Sequence, residues 1–285
     1  MLLEAGFLAA FLGPACMKPS LVPVLALRWM LFRLILGAGL IKLRSDPCWR
    51  DLTCLNVHFE TQPMPNPLSW YFHRLPGPVL MGGVLINHVV EVLAPFGLLG
   101  PQYVAAAAGG LIIAHQALLI VSGNFSFLNF LTIALCLTAL SDRVLKLALP
   151  ECLPELRPSP AYAQYLASRG QIMNYDYNPL RLVNTYGMFG TITKERYEVV
   201  VEGTDEGALK PGTKWQEYEF KGKPGDVRAM PPQVAPYHLR LDWLMWFLPF
   251  SVNVTERGII PYGYDVWFLR FMEKLLEGDK KRWRF

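Results

Sequence analysis

The stretch LVPVLALRWMLFRLILGAGLIKL, Leu21 to Leu43, is 23 residues long and holds two arginines before its closing lysine. At helical rise about 20 apolar residues cross a bilayer, so this run is long enough to span one. Val79 to Leu99 (21 residues) and Tyr103 to Val121 (19 residues, uncharged) read the same way. Phe125 to Leu140 is shorter but uncharged, after a turn at Gly123 and Asn124. Leu2 to Cys16 is weaker, because it carries Glu4 and a Gly13-Pro14 break; with no basic residue ahead of it, it is also a poor signal peptide. Apolar runs this long, without a polar face and separated by short gaps, argue against a soluble helical core. The expectation is a membrane α-helical bundle of four or five spans over residues 1–148, with a polar loop at 44–77.

Charge divides the chain. Residues 1–150 hold 15 Asp, Glu, Lys and Arg, and residues 151–285 hold 35. Pro150, Pro154, Pro158 and Pro160 mark a linker over 149–180. In 181–285, YEVVVEG (Tyr197 to Gly203) and WQEYEFK (Trp215 to Lys221) alternate apolar with polar residues and are followed by turn signals. A small β-rich, sandwich-like domain is expected there, with a C-terminal helix over Phe268 to Glu277. The net charge of +4 is scattered, and no basic stripe with interleaved aromatics points to nucleic acid.

Arg28, Arg33, His88 and Glu91 fall inside apolar runs, where an unpaired charge costs about 2.5–3.5 kcal/mol. Asn87 and His88 share a helix face with Glu91. We expect Glu91 to pair with Arg28 or Arg33 and lock two helices together. A proton relay or catalytic constellation, extended by His115 and Gln116, is the competing reading. In a strand His238 and Asp242 would share a face, but such residues more often satisfy backbone groups or pair with a neighbour such as Arg240 than act in catalysis. No G-x-S-x-G, phosphate-binding glycine loop, C-x-x-C or H-E-x-x-H motif occurs, so neither catalytic residues nor a cofactor is expected.

Five cysteines are present: Cys16, Cys48, Cys54, Cys136 and Cys152. Cys136 reads as a packing residue. Cys48 and Cys54 share the polar loop, and three chemistries stay open for them: a disulfide, a redox pair, or zinc completed by His58 and His73. Two sequons occur. Asn124-Phe125-Ser126 lies against a span and is out of reach, whereas Asn253-Val254-Thr255 lies in the polar half and is the candidate glycosylation site. Counting basic residues in the loops does not orient the chain.

GAGLIKLRSDPCWRDLTCLNVHFETQPMPNPLSWYFHRLP (Gly37 to Pro76) resembles the signature region of the lipase maturation factor family. NHVVEVLAPF, SGNFSFLN, VNTYGMFGTITKERYEVVVEGT and PYHLRLDWLMWF resemble its further blocks, in order. The resemblance implies a non-enzymatic, multi-pass membrane protein of the endoplasmic reticulum, with chaperone-like assistance to secreted lipases as folding clients. Lipoprotein, hepatic and endothelial lipases would be such clients. It also implies a bundle distantly similar to the membrane part of vitamin K-dependent carboxylase, which keeps an intramembrane enzyme or thiol redox factor as the alternative. A lumenal place for the Cys48–Cys54 loop follows, with the disulfide favoured, and a lumenal C-terminal domain. Trp243, Trp246 and Phe247 are the candidate client surface within that domain. The chain departs from the family in lacking a span between Arg143 and the VNTYG block, and it looks truncated. Three crossings after Cys54 would then leave no apolar run to return the C-terminal domain to the side of the cysteines.

Overall fold

Helices form where the apolar runs predict them. In the computed structural model, which describes residues 2–13, 19–141, 189–204, 210–255, 258–261 and 265–277 and positions 144 and 206, three helices have the length and apolarity to cross a membrane. These are α2 (Leu21–Arg44), the composite helix Gly77–Gly97, and α8 (Gln102–Ser122). Each buries only about a third of its apolar length (28%, 33% and 33%), which leaves side chains such as Leu25, Val79, Ile86 and Leu111 facing outward. Outward leucines of this kind suit a lipid solvent. Two shorter apolar helices accompany them, Leu2–Leu12, which begins as α1 (Leu2–Ala9), and Leu128–Ala139, which begins as α9 (Leu128–Cys136). The proline-rich interval, Cys16 and Cys152 lie outside the described residues.

The chain divides into two units, each assembled from several segments. Unit 1 comprises residues 1–56, 75–120 and 128–192. Its core is aliphatic: Leu27, Met30, Leu31 and Ile35 of α2 pack with Val90, Leu98, Ala105, Ile112 and Leu135. Small residues set the closest approach. A Cβ on Gly39 would stand 2.9 Å from the Glu91 carbonyl oxygen, so α2 meets the second span backbone to backbone. That second span is not uniform. It runs as α6 (Gly77–His88), widens into a π-helical segment at Val89–Leu93, and closes as α7 (Ala94–Gly97). Pro95 has no N–H to complete the i→i−4 ladder at this point, a local cause for the wider turn.

Unit 2 comprises residues 57–74, 121–127 and 193–285. Here the expectation of a sandwich meets a more modest result. Among the described residues strands occur in two antiparallel pairs, β1 (Glu202–Gly203) with β2 (Gln216–Glu217) and β3 (Val252–Thr255) with β4 (Gly258–Pro261). YEVVVEG contributes only its last two residues to a strand. Its alternation serves packing instead: Val199 and Val201 turn toward Met245, Leu248, Phe268 and Phe271, which lie in or beside helices α10 (Arg240–Met245) and α11 (Val266–Leu276). Within HLRLDWLMW the chain is helical over Arg240–Met245, so Asp242 stands on a helix. From this helix the buried Asp242 carboxylate accepts the backbone N–H of Gly222 (2.6 Å) and Lys223 (3.0 Å).

Candidate functional site: a roofed intramembrane ion pair

Glu91 sits in the π-helical segment and is 5% exposed. Its partner is neither arginine expected from the sequence. Lys42, in the last turn of α2, places Nζ 2.7 Å from Glu91 Oε1 and donates to Asn87 Oδ1 at 3.0 Å. Asn87 in turn donates to Glu91 Oε2 at 3.2 Å, which closes a three-residue network. The two arginines are engaged elsewhere. Arg28 donates to the Thr138 carbonyl (2.8 Å) and to Gln102 Oε1 (2.9 Å), and Arg33 pairs with Glu4 of α1. The correction has a geometric cause: Lys42 projects from the same side of α2 as Gly39, the point of closest approach to Glu91.

The network has a roof. Trp49 is 3% exposed, and its ring faces the Lys42 ammonium at 4.9 Å. Such a contact stabilises a cation whose hydration has been removed. His88 joins the roof through Nε2, 2.8 Å from the Trp49 carbonyl oxygen. His115 of α8 is 6% exposed, and its Nδ1 is buried without a hydrogen-bond partner among the described residues. A buried lysine and a buried carboxylate thus meet beside a π-helical turn, and π-helical turns are frequent at functional sites.

Trp49 is held by local covalent structure. Cys48 and Cys54 form a disulfide with Cα atoms 4.8 Å apart, across the helical turn α3 (Pro47–Arg50). Asp46 caps that turn by accepting from Cys48 N at 3.0 Å, and Pro47 stands at N1, where its missing N–H costs nothing. The same turn seats a later segment: Trp49 Nε1 donates to the Phe189 carbonyl (3.2 Å), and the Asp46 N–H reaches Gly190 O (3.4 Å). A Cβ on Gly190 would meet Ser45 Oγ at 2.9 Å, so the approach depends on glycine. Zinc does not fit this loop as arranged, since both thiols are consumed by the disulfide and His73 is set 3.6 Å from Glu60.

In unit 2 the unreachable sequon acquires a structural use. Asn124, 2% exposed, donates to the carbonyls of Pro65 (3.0 Å) and Pro232 (2.9 Å) and accepts from Val234 N and Ala235 N (2.8 and 2.9 Å). Asn66 extends the hub to Val121 O (2.8 Å) and Gln233 Oε1 (3.1 Å). Arg196 donates to the carbonyls of Gln62 and Pro63 while paired with Glu198. Trp243 is half-buried against His238, with ring centroids 5.7 Å apart. Burial, and then the charge of Arg240, hold the His238 imidazole below its ordinary value. Trp246, half-buried, and Phe247, 43% exposed, cluster with Phe250 at centroid distances of 4.8–6.2 Å.

Two family descriptions match the chain in order: Lipase maturation factor transmembrane domain over residues 1–147 and Lipase maturation factor C-terminal domain over residues 182–285. The chain belongs to the lipase maturation factor family. Lipase maturation factor 1 of Mus musculus is 40% identical over 98% of this chain, and that of Homo sapiens is likewise 40% identical over 98%. Lipase maturation factor 2 of Xenopus laevis is 25% identical over 98% of the chain. The chain spans 56% of the mouse and human proteins and 57% of the frog one. The mouse alignment runs to 329 positions against a chain of 285, so that relative carries segments this chain lacks. No solved structure matches.

The expectations from sequence divide accordingly. Glu91, His88 and Asn87 were legible as one helix face, and the structure brings them together with Lys42 and Trp49, which sequence reasoning missed. A lysine at the end of a span ordinarily reads as an interfacial anchor, and only the Gly39 contact explains why this one turns inward. Asn253 lies in β3, opposite Ile260.

Proposed function

We propose that this chain acts in the maturation of secreted lipases at the endoplasmic reticulum membrane, holding folding intermediates and not transforming them chemically. The observation that carries this reading is the ordered match to both family domains, with 40% identity to the mouse and human factors over 98% of the chain. The polar site supports a structural role, because Lys42, Asn87 and Glu91 satisfy one another. Leu128–Ala139 is read as a fourth crossing. Its end lies at the Gln102 end of α8, where Gln102 Nε2 donates to Ala139 O at 2.9 Å.

Within unit 2 the C-terminal residues are bonded to two inter-helix loops. Segments 57–74 and 121–127 follow α2 and α8, two crossings apart, and Asn124 bonds residues 232–235 to them. This arrangement is the reverse of what span counting predicts, and it supports a lumenal C-terminal unit in which Trp243, Trp246, Phe247 and Phe250 engage the client. The test is rescue. In cells lacking their own lipase maturation factors, the chain is expressed with a secreted lipase, and lipase activity and lipase protein are measured in the medium. An increase in specific activity is expected, lost in a variant ending at Leu140; unchanged specific activity with normal expression of the chain would overturn the proposal.

A further inference from the structure

Helix α5 (Ser69–His73) has two unlike faces. On one, Ser69 is 2% exposed; its hydroxyl donates to the Ser122 carbonyl (2.9 Å) and accepts from Gln62 Nε2 (2.7 Å). Asn66 Oδ1 receives the backbone N–H of Leu68 and Ser69 at 3.1 and 2.9 Å. This network fixes the rotation of the helix. On the other face Leu68, Trp70 and Tyr71 are 43%, 52% and 57% exposed, and the Arg74 guanidinium lies 3.7 Å above the Trp70 ring. Adjacent exposed Leu, Trp and Tyr are unusual on a surface that meets only water. The polar network therefore holds an apolar, cation-tipped face outward.

The position of that face along the chain says what covers it. Arg74 precedes Gly77, the first residue of a candidate span, by three residues, a reach of at most about 10 Å. From Val79 onward the span presents outward apolar side chains, Val79, Met81, Leu85 and Ile86 among them. Tryptophan and tyrosine favour the headgroup level, where the ring is apolar and its polar atom stays wet. Arginine lays its stem along apolar surface and extends its head to phosphate, which it binds bidentately. We propose that Leu68, Trp70, Tyr71 and Arg74 form an interfacial anchor seated in the phospholipid headgroup layer, with Arg74 on a lipid phosphate. The anchor rests on Gly77–Gly97 crossing the membrane, and it is independent of any lipase client.

The test uses the full chain in phosphatidylcholine vesicles whose acyl chains carry bromine at carbons 6,7 or 11,12. Trp70→Phe isolates the Trp70 emission by difference, and Trp29→Phe does the same for Trp29, which lies inside α2 and is 40% exposed. The Trp70 component is expected to be quenched at least twofold more by the shallow bromines than by the deep ones, and little by aqueous iodide. Arg74→Gln is expected to reduce that shallow quenching by a third or more; unchanged quenching would remove the phosphate contact. If iodide quenches Trp70 and neither lipid does, while deep bromines still quench Trp29, the span stands and the anchor is overturned in favour of a protein-facing surface.

Discussion

Lys42 and Glu91 are the residues on which the bundle's polar chemistry turns. Both are nearly withdrawn from solvent, and each is the other's compensation. Breaking a buried pair by removing one partner typically costs about 3–5 kcal/mol, because the survivor keeps its charge without its partner. Lys42→Met and Glu91→Leu are each expected to lower the thermal midpoint in detergent markedly, since each strands a buried charge. The double variant Lys42→Met/Glu91→Leu is expected to recover most of the loss; if it is additive instead, the two residues are not a coupled pair. Half of this was readable beforehand. Asn87, His88 and Glu91 stand at helical spacing, but the identity of the cation depends on which faces meet, a tertiary fact that no spacing encodes.

Elements give a second pair of expectations. At the α2 crossing, a Cβ on Gly39 would stand 2.8 Å from Val92 Cγ2 and 2.9 Å from Glu91 backbone atoms, whereas one on Gly110 meets nothing within 4 Å. Gly39→Ala is therefore expected to cost about 1–3 kcal/mol through overpacking. Gly110→Ala is expected to be neutral or to stabilise by up to about 1 kcal/mol through helix propensity. Unfolding in detergent compares the two, and equal effects would refute the close crossing. The α3 turn gives the other expectation. A disulfide closing so short a loop contributes about 2 kcal/mol by restricting the unfolded chain. Cys48→Ser/Cys54→Ser should lose about that much. It should also speed hydrogen exchange at the Ile192 amide, which faces Asp46 Oδ2 at 3.4 Å; unchanged exchange there would separate the turn from the 189–192 segment. Alternation in YEVVVEG was legible as one-sided burial but misleading as strand, because Val199 and Val201 pack on helices and ladder pairing is confined to Glu202–Gly203, with Val201 O accepting from Tyr218 N at 2.8 Å just ahead of it.

At the scale of the molecule the question is on which side of the membrane each part lies. Counting apolar runs separates residues 189–192 from the cysteine loop, yet contacts within unit 1 argue otherwise. Thr138 and Ala139 lie at the end of the bundle marked by Arg28 and Gln102, while Phe189 and Gly190 lie at the end marked by Ser45 and Trp49. Hydropathy counting could not have found this, since it registers runs of side chains and not where the chain's two ends dock. A Cys48–Cys54 disulfide persists in an oxidising compartment. Under the proposed lumenal placement of the C-terminal residues, Asn253 should meet the glycosylation machinery. Asn253→Gln is expected to abolish one endoglycosidase H-sensitive shift on a gel. Asn124→Gln should remove none, because the Asn124 amide is committed to Pro65 and Pro232. A chain that carries no glycan at Asn253 while its cysteines are oxidised would place the two parts on opposite sides, and the hub at Asn124 could not then form in the membrane.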